Sequence, residues 1–246
     1  MKRPFPLPTV SLIPGLLLLA GCASTYIRPT DADADYERLG TVTRLKAAHP
    51  TRPGGWQAAA PGSSFLLELP ARFGVARLSG GEVSEVPLAE AMVWEAARER
   101  TGGRYGEFFP LNRLVVSTLG TPLDVPQGAT PEEMTIDAIR RSALRQELDA
   151  VIVYEVRSRL DEATIDQLGR DEHRLFMAAT ADALLLDVRQ ATVHATASAQ
   201  AELEASVHRS GRQAAIRDLA AKTEARAVRR LVGELEAFFR TQSNPR

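Results

Sequence analysis

Hydrophobic and polar positions alternate almost without fault from Thr192 to Ser206. Val193, Ala195, Ala197, Ala199, Ala201, Leu203 and Ala205 fall on one side, and Thr192, His194, Thr196, Ser198, Gln200, Glu202, Glu204 and Ser206 on the other. A period of two held this long outweighs the helix propensity of alanine and predicts a strand with one wet face. Leu175–Val188, with Phe176, Met177, Leu184, Leu185 and Leu186 among alanines, is a second extended run, and Asp187–Ala191 joins the two as a long hairpin. The small alanines of the inner face leave room for a helix to approach closely. Ala150–Val156 starts apolar on both faces, the pattern of a central strand covered on both sides. Further strands are expected at Phe65–Leu69, at Arg72–Leu78 before Gly80-Gly81, and at Arg113–Leu119, which Gly120 and Pro122 close.

Three segments carry helical spacing. Pro87–Arg100 has proline near its start and Gly102-Gly103 beyond its end; Leu88, Ala91, Met92, Glu95 and Ala96 lie near one face, with Trp94 off that stripe. Thr130-Pro131-Glu132-Glu133 has the form of a capping box and opens a helix to about Leu148, where Ile136, Ile139 and Ala143 share a side and Asp149 breaks it. Arg212–Arg240 is a long helix with Ile216, Leu219, Ala220, Thr223, Ala227, Leu231 and Phe238 as its apolar stripe. Lys222, Arg226, Arg229 and Arg230 flank that stripe and read as a solvated face that could also meet lipid phosphates or an acidic partner. These elements predict an α/β (α+β) fold: one mixed, twisted β-sheet with a long hairpin, helices packed on it, and a long C-terminal helix.

The amino-terminal segment changes the picture. Lys2 and Arg3 precede a short apolar stretch, Val10 to Ala20, broken by Pro14 and ending in Leu19-Ala20-Gly21-Cys22. It is too short to span a bilayer, which takes ~20 apolar residues, and has the layout of a secretory leader. Leu19-Ala20-Gly21-Cys22 resembles the lipobox of bacterial lipoproteins. That resemblance implies cleavage before Cys22, acylation of its thiol and amine, and a mature chain held to a membrane by lipid. Cys22 is the only cysteine of the 246 residues, so no disulfide can form within the chain. In similar lipoproteins Asp after the cysteine favours the inner membrane; Ala23 and Ser24 stand here, so the outer membrane, facing the periplasm, is expected. Residues 1–21 are then the signal peptide, 22–62 the lipidated start and a flexible tether rich in Pro and Gly, and 63–242 a single α/β domain. A tether of that length reaches roughly 35 Å on average. Trp56 is the tether residue that could dock on the domain or on a partner.

Composition excludes more than it identifies. Hydrophobic residues make up 44% and charged ones 25%, a globular balance. The formal charge is −1, and removing the leader takes Lys2 and Arg3 with it, so no basic excess points to nucleic acid. No Gly-x-Ser-x-Gly elbow and no His-Glu-x-x-His occurs, and the cysteine is committed to lipid. Of the histidines, His49 lies in the tether and His194 on the wet face of a strand. Asp161, Glu162, Asp166, Asp171 and Glu172, beside Arg159, Arg170 and His173, read as an acidic loop between strands; a cation or acid/base site is the sharper alternative. Asp182, mid-strand between alanines, needs a partner if it is buried. Gly102-Gly103-Arg104-Tyr105-Gly106 follows a helix and reads as a stop and loop. No cofactor and no metal site is expected.

A helix leading into Leu148-Asp149-Ala150-Val151-Ile152-Val153, then a hairpin with Leu184-Leu185-Leu186-Asp187-Val188, resembles the small α/β domain of envelope lipoproteins. That group includes the amino-terminal domain of TolB, the curli-secretion lipoprotein and the lipoprotein activators of peptidoglycan synthases. Leu69-Pro70-Ala71-Arg72-Phe73-Gly74-Val75-Ala76, after a lipobox and tether, resembles the rhombotarget lipoproteins. The resemblance implies envelope association and no catalytic residues. The expected function is a lipid-anchored, non-catalytic binding or assembly module with an envelope protein partner. The alternatives are an oligomeric export or pore-associated lipoprotein, and a hydrolase using the Asp161–Glu172 acids.

Overall fold

The computed structural model describes residues 57–58, 67–101, 103–120, 131–167, 170–208 and 211–242. Seven strands form one sheet: β1 (Gln57–Ala58), β2 (Ala71–Ser79), β3 (Glu82–Ser84), β4 (Gly106–Pro110), β5 (Ala150–Gln167), β6 (Arg170–Asp187) and β7 (Val193–His208). Four helices accompany it: α1 (Leu88–Thr101), α2 (Arg113–Leu119), α3 (Pro131–Arg145) and α4 (Arg212–Gln242). The strand order is β1-β7-β6-β5-β2, and the far edge of β2 is shared, by β4 along Ala71–Val75 and by β3 along Arg77–Ser79. The pairs β2–β4 and β2–β5 are parallel and the others antiparallel, which makes the sheet mixed, as the hydrophobic pattern predicts.

Both faces of the sheet are covered, by different helices. On one face Phe73, Ile152, Tyr154, Leu185 and the alanines of β6 and β7 pack against Val228, Leu231, Leu235 and Phe239 of α4 and Val93, Trp94 and Ala97 of α1. The alanine stripe lets α4 come close. Phe239 then reaches across to stack on Phe73, ring centroids 5.1 Å apart. On the other face Ala76, Leu78, Val151, Val153, Leu184 and Leu186 pack against Val116 of α2 and Ile139 and Ala143 of α3. Central strands with this double cover read as apolar runs rather than as alternation. That is why Arg72–Leu78 alternates imperfectly: Phe73, Val75, Ala76 and Leu78 are all buried.

The structure corrects several expectations. Arg113–Leu119 is helix α2, not a strand; the Asn112 side chain accepts from the Val115 N–H and caps its start, a signal that β-branched composition hides. The edge strand falls earlier, at β4, which begins at the last residue of the glycine-rich segment expected to be a loop. Gly106 is required there: its φ is 138°, and a Cβ would lie 1.7 Å from the carbonyl oxygen of Ala71. Leu67–Pro70 is not strand; Phe65 and Leu66 lie outside the described residues. Helix α1 exists but shows the sheet the opposite face. Glu90, Val93, Trp94, Ala97 and Thr101 are buried, while Leu88 is 79% and Met92 65% exposed.

The largest correction concerns the acidic segment. It is not a loop: β5 and β6 run on as a paired ladder from Ala150↔Asp187 to Gln167↔Arg170. Asp161, Glu162, Asp166, Asp171 and Glu172 therefore take up strand positions, with Asp166 opposite Asp171. Together with β7 they form a three-stranded arm. Leu175 and Met177 on one face of the arm pack against Ile216 and Leu219 from the first turns of α4. Gln57–Ala58, within the stretch read as tether, pairs with Thr196 and Ala195 of β7. No helix among the described residues is long and apolar enough to cross a membrane.

Candidate functional site

Two polar networks are built into this largely apolar sandwich. The first lies between the sheet, α1 and α4. Arg77 and Tyr154 are partners across the parallel β2–β5 pair and project to the same face. Helix α1 starts over them, so Glu90, in its first turn, points down onto both. The Arg77 Nε–H donates to Glu90 Oε2 at 3.0 Å and the Tyr154 hydroxyl donates to the same oxygen at 2.7 Å. Arg77 also sits 3.5 Å from Glu224 of α4 and 3.4 Å from Ser84 Oγ of β3. The Ser158 hydroxyl donates to the other oxygen of Glu224 at 2.8 Å. One guanidinium thus serves two carboxylates, and with Tyr154 and Ser158 on those carboxylates the network ties three strands to two helices.

Glu90 is 1% exposed, and its Oε1 has no hydrogen-bond partner among the described residues. Burial pushes its carboxyl above the usual range, and this outweighs the opposing pull of Arg77 and of the Tyr154 hydrogen bond. The Tyr154 phenol is pushed far up by burial and by the neighbouring carboxylate, so it stays a donor. A raised carboxyl beside a phenol and a guanidinium has the ingredients of an acid/base site. These groups are buried and face one another, forming a strut between β2, β5 and α1.

The second network lies on the opposite face, across β5, β6 and β7. Glu155, Asp182 and Ser198 are register partners and make one row. Asp182 accepts from Arg157 at 2.6 Å and from the Ser198 hydroxyl at 2.7 Å, which supplies the partners a buried mid-strand carboxylate requires. Glu155 is 6% exposed, and its Oε2 has no partner among the described residues. Burial raises its carboxyl, Arg157 opposes that, and the adjacent Asp182 adds to it.

His194 is half-buried, not on a wet face; its Nε2 lies 3.0 Å from Asp187 across the base of the hairpin. The Gln190 N–H binds the other Asp187 oxygen. Burial pushes the Asp187 carboxyl up, but these bonds prevail and hold it below the usual range. The hairpin turn closes through Ala191 at φ 57°.

Of the residues singled out from sequence, Leu19, Ala20, Gly21 and Cys22 lie outside the described residues, as do Thr130, His49 and Trp56. Asp161 stands exposed on β5, paired with Arg159 at 2.9 Å. Glu162, Asp166, Asp171, Glu172 and His173 are located by backbone register alone. Among the described residues no three His, Cys, Asp or Glu side chains gather as a metal ion would need. A shallow recess of about 270 Å³ lies between Arg98, Glu99, Gly103, Gly106 and Glu107. Arg77, Glu90, Tyr154 and Glu155 escaped the sequence reading. The signal for Glu90 was its spacing: Glu90, Val93, Trp94, Ala97 and Thr101 follow one helical stripe, which a charged first member disguises.

No protein-family model matches the chain, and no curated protein matches it. Solved structures resemble it at low identity. One is a candidate lipoprotein of Caulobacter crescentus CB15, at 11% identity over 68% of this chain and 90% of that one, with a TM-score of 0.32. A variant of the PelC dodecamer from Paraburkholderia phytofirmans shows 16% identity, 72% and 98% coverage and a TM-score of 0.30. Lipoprotein GNA1162 from Neisseria meningitidis shows 21% identity, 61% and 94% coverage and a TM-score of 0.30. At such TM-scores these are likenesses and carry no argument about function.

Proposed function

We propose that this chain is a lipid-anchored envelope protein whose α/β domain serves as a non-catalytic binding and assembly module. The observation that carries the reading is Leu19-Ala20-Gly21-Cys22, placed behind a charged start and a short apolar stretch and holding the only cysteine. Two or more acyl chains on Cys22 anchor stably where one binds marginally. Ala23 and Ser24 favour the outer membrane, on its periplasmic side, and the Leu69–Ala76 motif supports a kinship with the rhombotarget lipoproteins. The polar groups of the domain support a structural role: Glu90 Oε2, the Tyr154 hydroxyl and the Asp182 carboxylate bond to neighbouring strands and helices.

Labelling the full chain with palmitate in a bacterial host tests the anchor. The wild type should take up label and sediment with the envelope; Cys22→Ser should take up none and persist as unprocessed precursor. An unlabelled, freely soluble wild type would sink the reading. Neutralising Asp161, Glu162 and Asp166 together should leave partner capture intact, whereas a hydrolase built on these acids would lose its activity.

A further inference from the structure

From the sheet topology and its charges we infer that copies of this chain associate side by side through the arm, the β7 edge of one copy meeting the β5 edge of the next. Past Glu155, β5 pairs only with β6 among the described residues, and from Ser198 onward β7 does the same. The arm is therefore a three-stranded sheet whose outer edges pair with no further strand among the described residues; on β7 Arg230 of α4 caps the Gln200 carbonyl, so the row able to accept another strand runs from Glu202 onward. The two edges differ. On the face away from α4, β5 carries Arg157 and Arg159, and β7 carries Glu202 and Glu204, exposed at their respective edges. These side chains share that face because Arg159↔Ala178↔Glu202 and Asp161↔Phe176↔Glu204 are register rows. Phe176, 38% exposed, lies in the middle of the same face.

A second copy is the occupant that this asymmetry fits. β5 and β7 run parallel within a copy, so the next copy continues the sheet by adding its β5 in parallel to β7. With no stagger, Glu204 would abut the partner's Asp161, which is repulsive. A stagger of two residues, about 7 Å along the strands, sets Glu204 against the partner's Arg159 and Glu202 against the partner's Arg157. Within one copy Arg159 holds Asp161 at 2.9 Å and Arg174 holds Glu204 at 3.3 Å. The intermolecular contacts would thus extend an existing charge ladder. Joining unlike edges is a heterologous contact, which propagates into a ring or a filament rather than stopping at a two-fold dimer.

The test is sedimentation of the full chain in mild detergent over a range of concentrations. The wild type should show species larger than the monomer. Arg159→Glu and Glu204→Arg should each weaken association about tenfold or more, the effect of one lost charge pair of roughly 1.4 kcal/mol. Mixing the two variants should restore it, since each then offers the edge the other needs. A wild type that stays monomeric, or oligomers indifferent to both reversals, would overturn the inference. A second measurement does not depend on those variants: Arg159→Cys with Glu204→Cys on a Cys22→Ala background. Within one copy these positions lie two strand spacings apart across the arm and two residues apart along it, about 12 Å in all, beyond disulfide reach. Oxidation should therefore link copies, and a product that remains monomeric counts against the contact. This inference needs the assembly reading but not the lipid, so labelling at Cys22 and association of the arms can fail separately.

Discussion

The hydroxyl of Tyr154 donates to Glu90 Oε2 at 2.7 Å, joining β5 to the first turn of α1 inside the core. The contact lets a carboxylate sit in a helix face that also buries Val93, Trp94 and Ala97. Tyr154→Phe keeps the ring, which lies 5.7 Å from Trp94, and removes the donor. Glu90 would then keep only the Arg77 hydrogen bond at 3.0 Å. The expected loss is about 1.5–3 kcal/mol, the range for a hydrogen bond to a charged group, read from urea unfolding at neutral pH. An unchanged midpoint would show that the strut is not under load.

Stability should fall with rising pH through the titration of Glu90. Its carboxyl is raised above 4.5 in the fold. Below that value the folded and unfolded chains both hold the proton, and the contribution is complete. As pH climbs through the raised value, the fold must accommodate a buried charge while the unfolded chain ionises in water, so the contribution is lost. Glu90→Gln removes this slope: the variant should gain on the wild type from about pH 4 until the folded carboxyl has ionised, and hold level above that. Denaturation series at several pH values check the sign, and a variant that loses ground as pH rises refutes it.

Glu155 and Asp182 are register partners, yet their removal should act in opposite directions. Asp182 holds Arg157 and Ser198. Asp182→Asn weakens both bonds and should cost about 1–3 kcal/mol. Glu155 has a buried oxygen without a partner among the described residues and a like charge beside it. Glu155→Gln removes that charge and should raise the thermal midpoint at neutral pH. Losses in both variants would mean that the row acts as one network.

How much of this was legible from sequence depends on whether neighbours or local chemistry decide an element. Val193–His208 announces itself through alternation because its polar side stays half open. The long stripe of α4 is visible for the same reason: Leu219, Thr223, Ala227 and Leu231 face the sheet and the arginines face water. α2 was hidden because Val115 and Val116 favour strands and only Asn112, outside the helix, marks it. The polar networks were hidden for a different reason. Arg77 meets Glu90 across thirteen residues and Tyr154 meets it across sixty-four, so no spacing rule links them. Asp182 was visible as a question, since alanines on both sides implied burial, but the identity of Arg157 as its answer lay in the β5–β6 register.

The orientation of α1 gives the sharpest contrast between a sequence pattern and the fold. Leu88 and Met92 lie one helical turn apart and look like core positions, yet both stand in solvent. Trp94, off that stripe, is buried against Phe108 and Tyr154 with ring centroids 5.7 Å away in each case. The helix turns this way because Glu90 is held by Arg77 and Tyr154, and a rotation that buried Leu88 and Met92 would break both bonds. Met92→Ser should therefore change stability by less than about 0.5 kcal/mol, as surface substitutions do. Trp94→Ala should cost about 3–5 kcal/mol through lost burial and the cavity left behind. Thermal unfolding of the two variants beside wild type decides the matter. Comparable losses in both would mean that α1 docks by its Leu88–Met92 face, and the Glu90 strut would fall with that result.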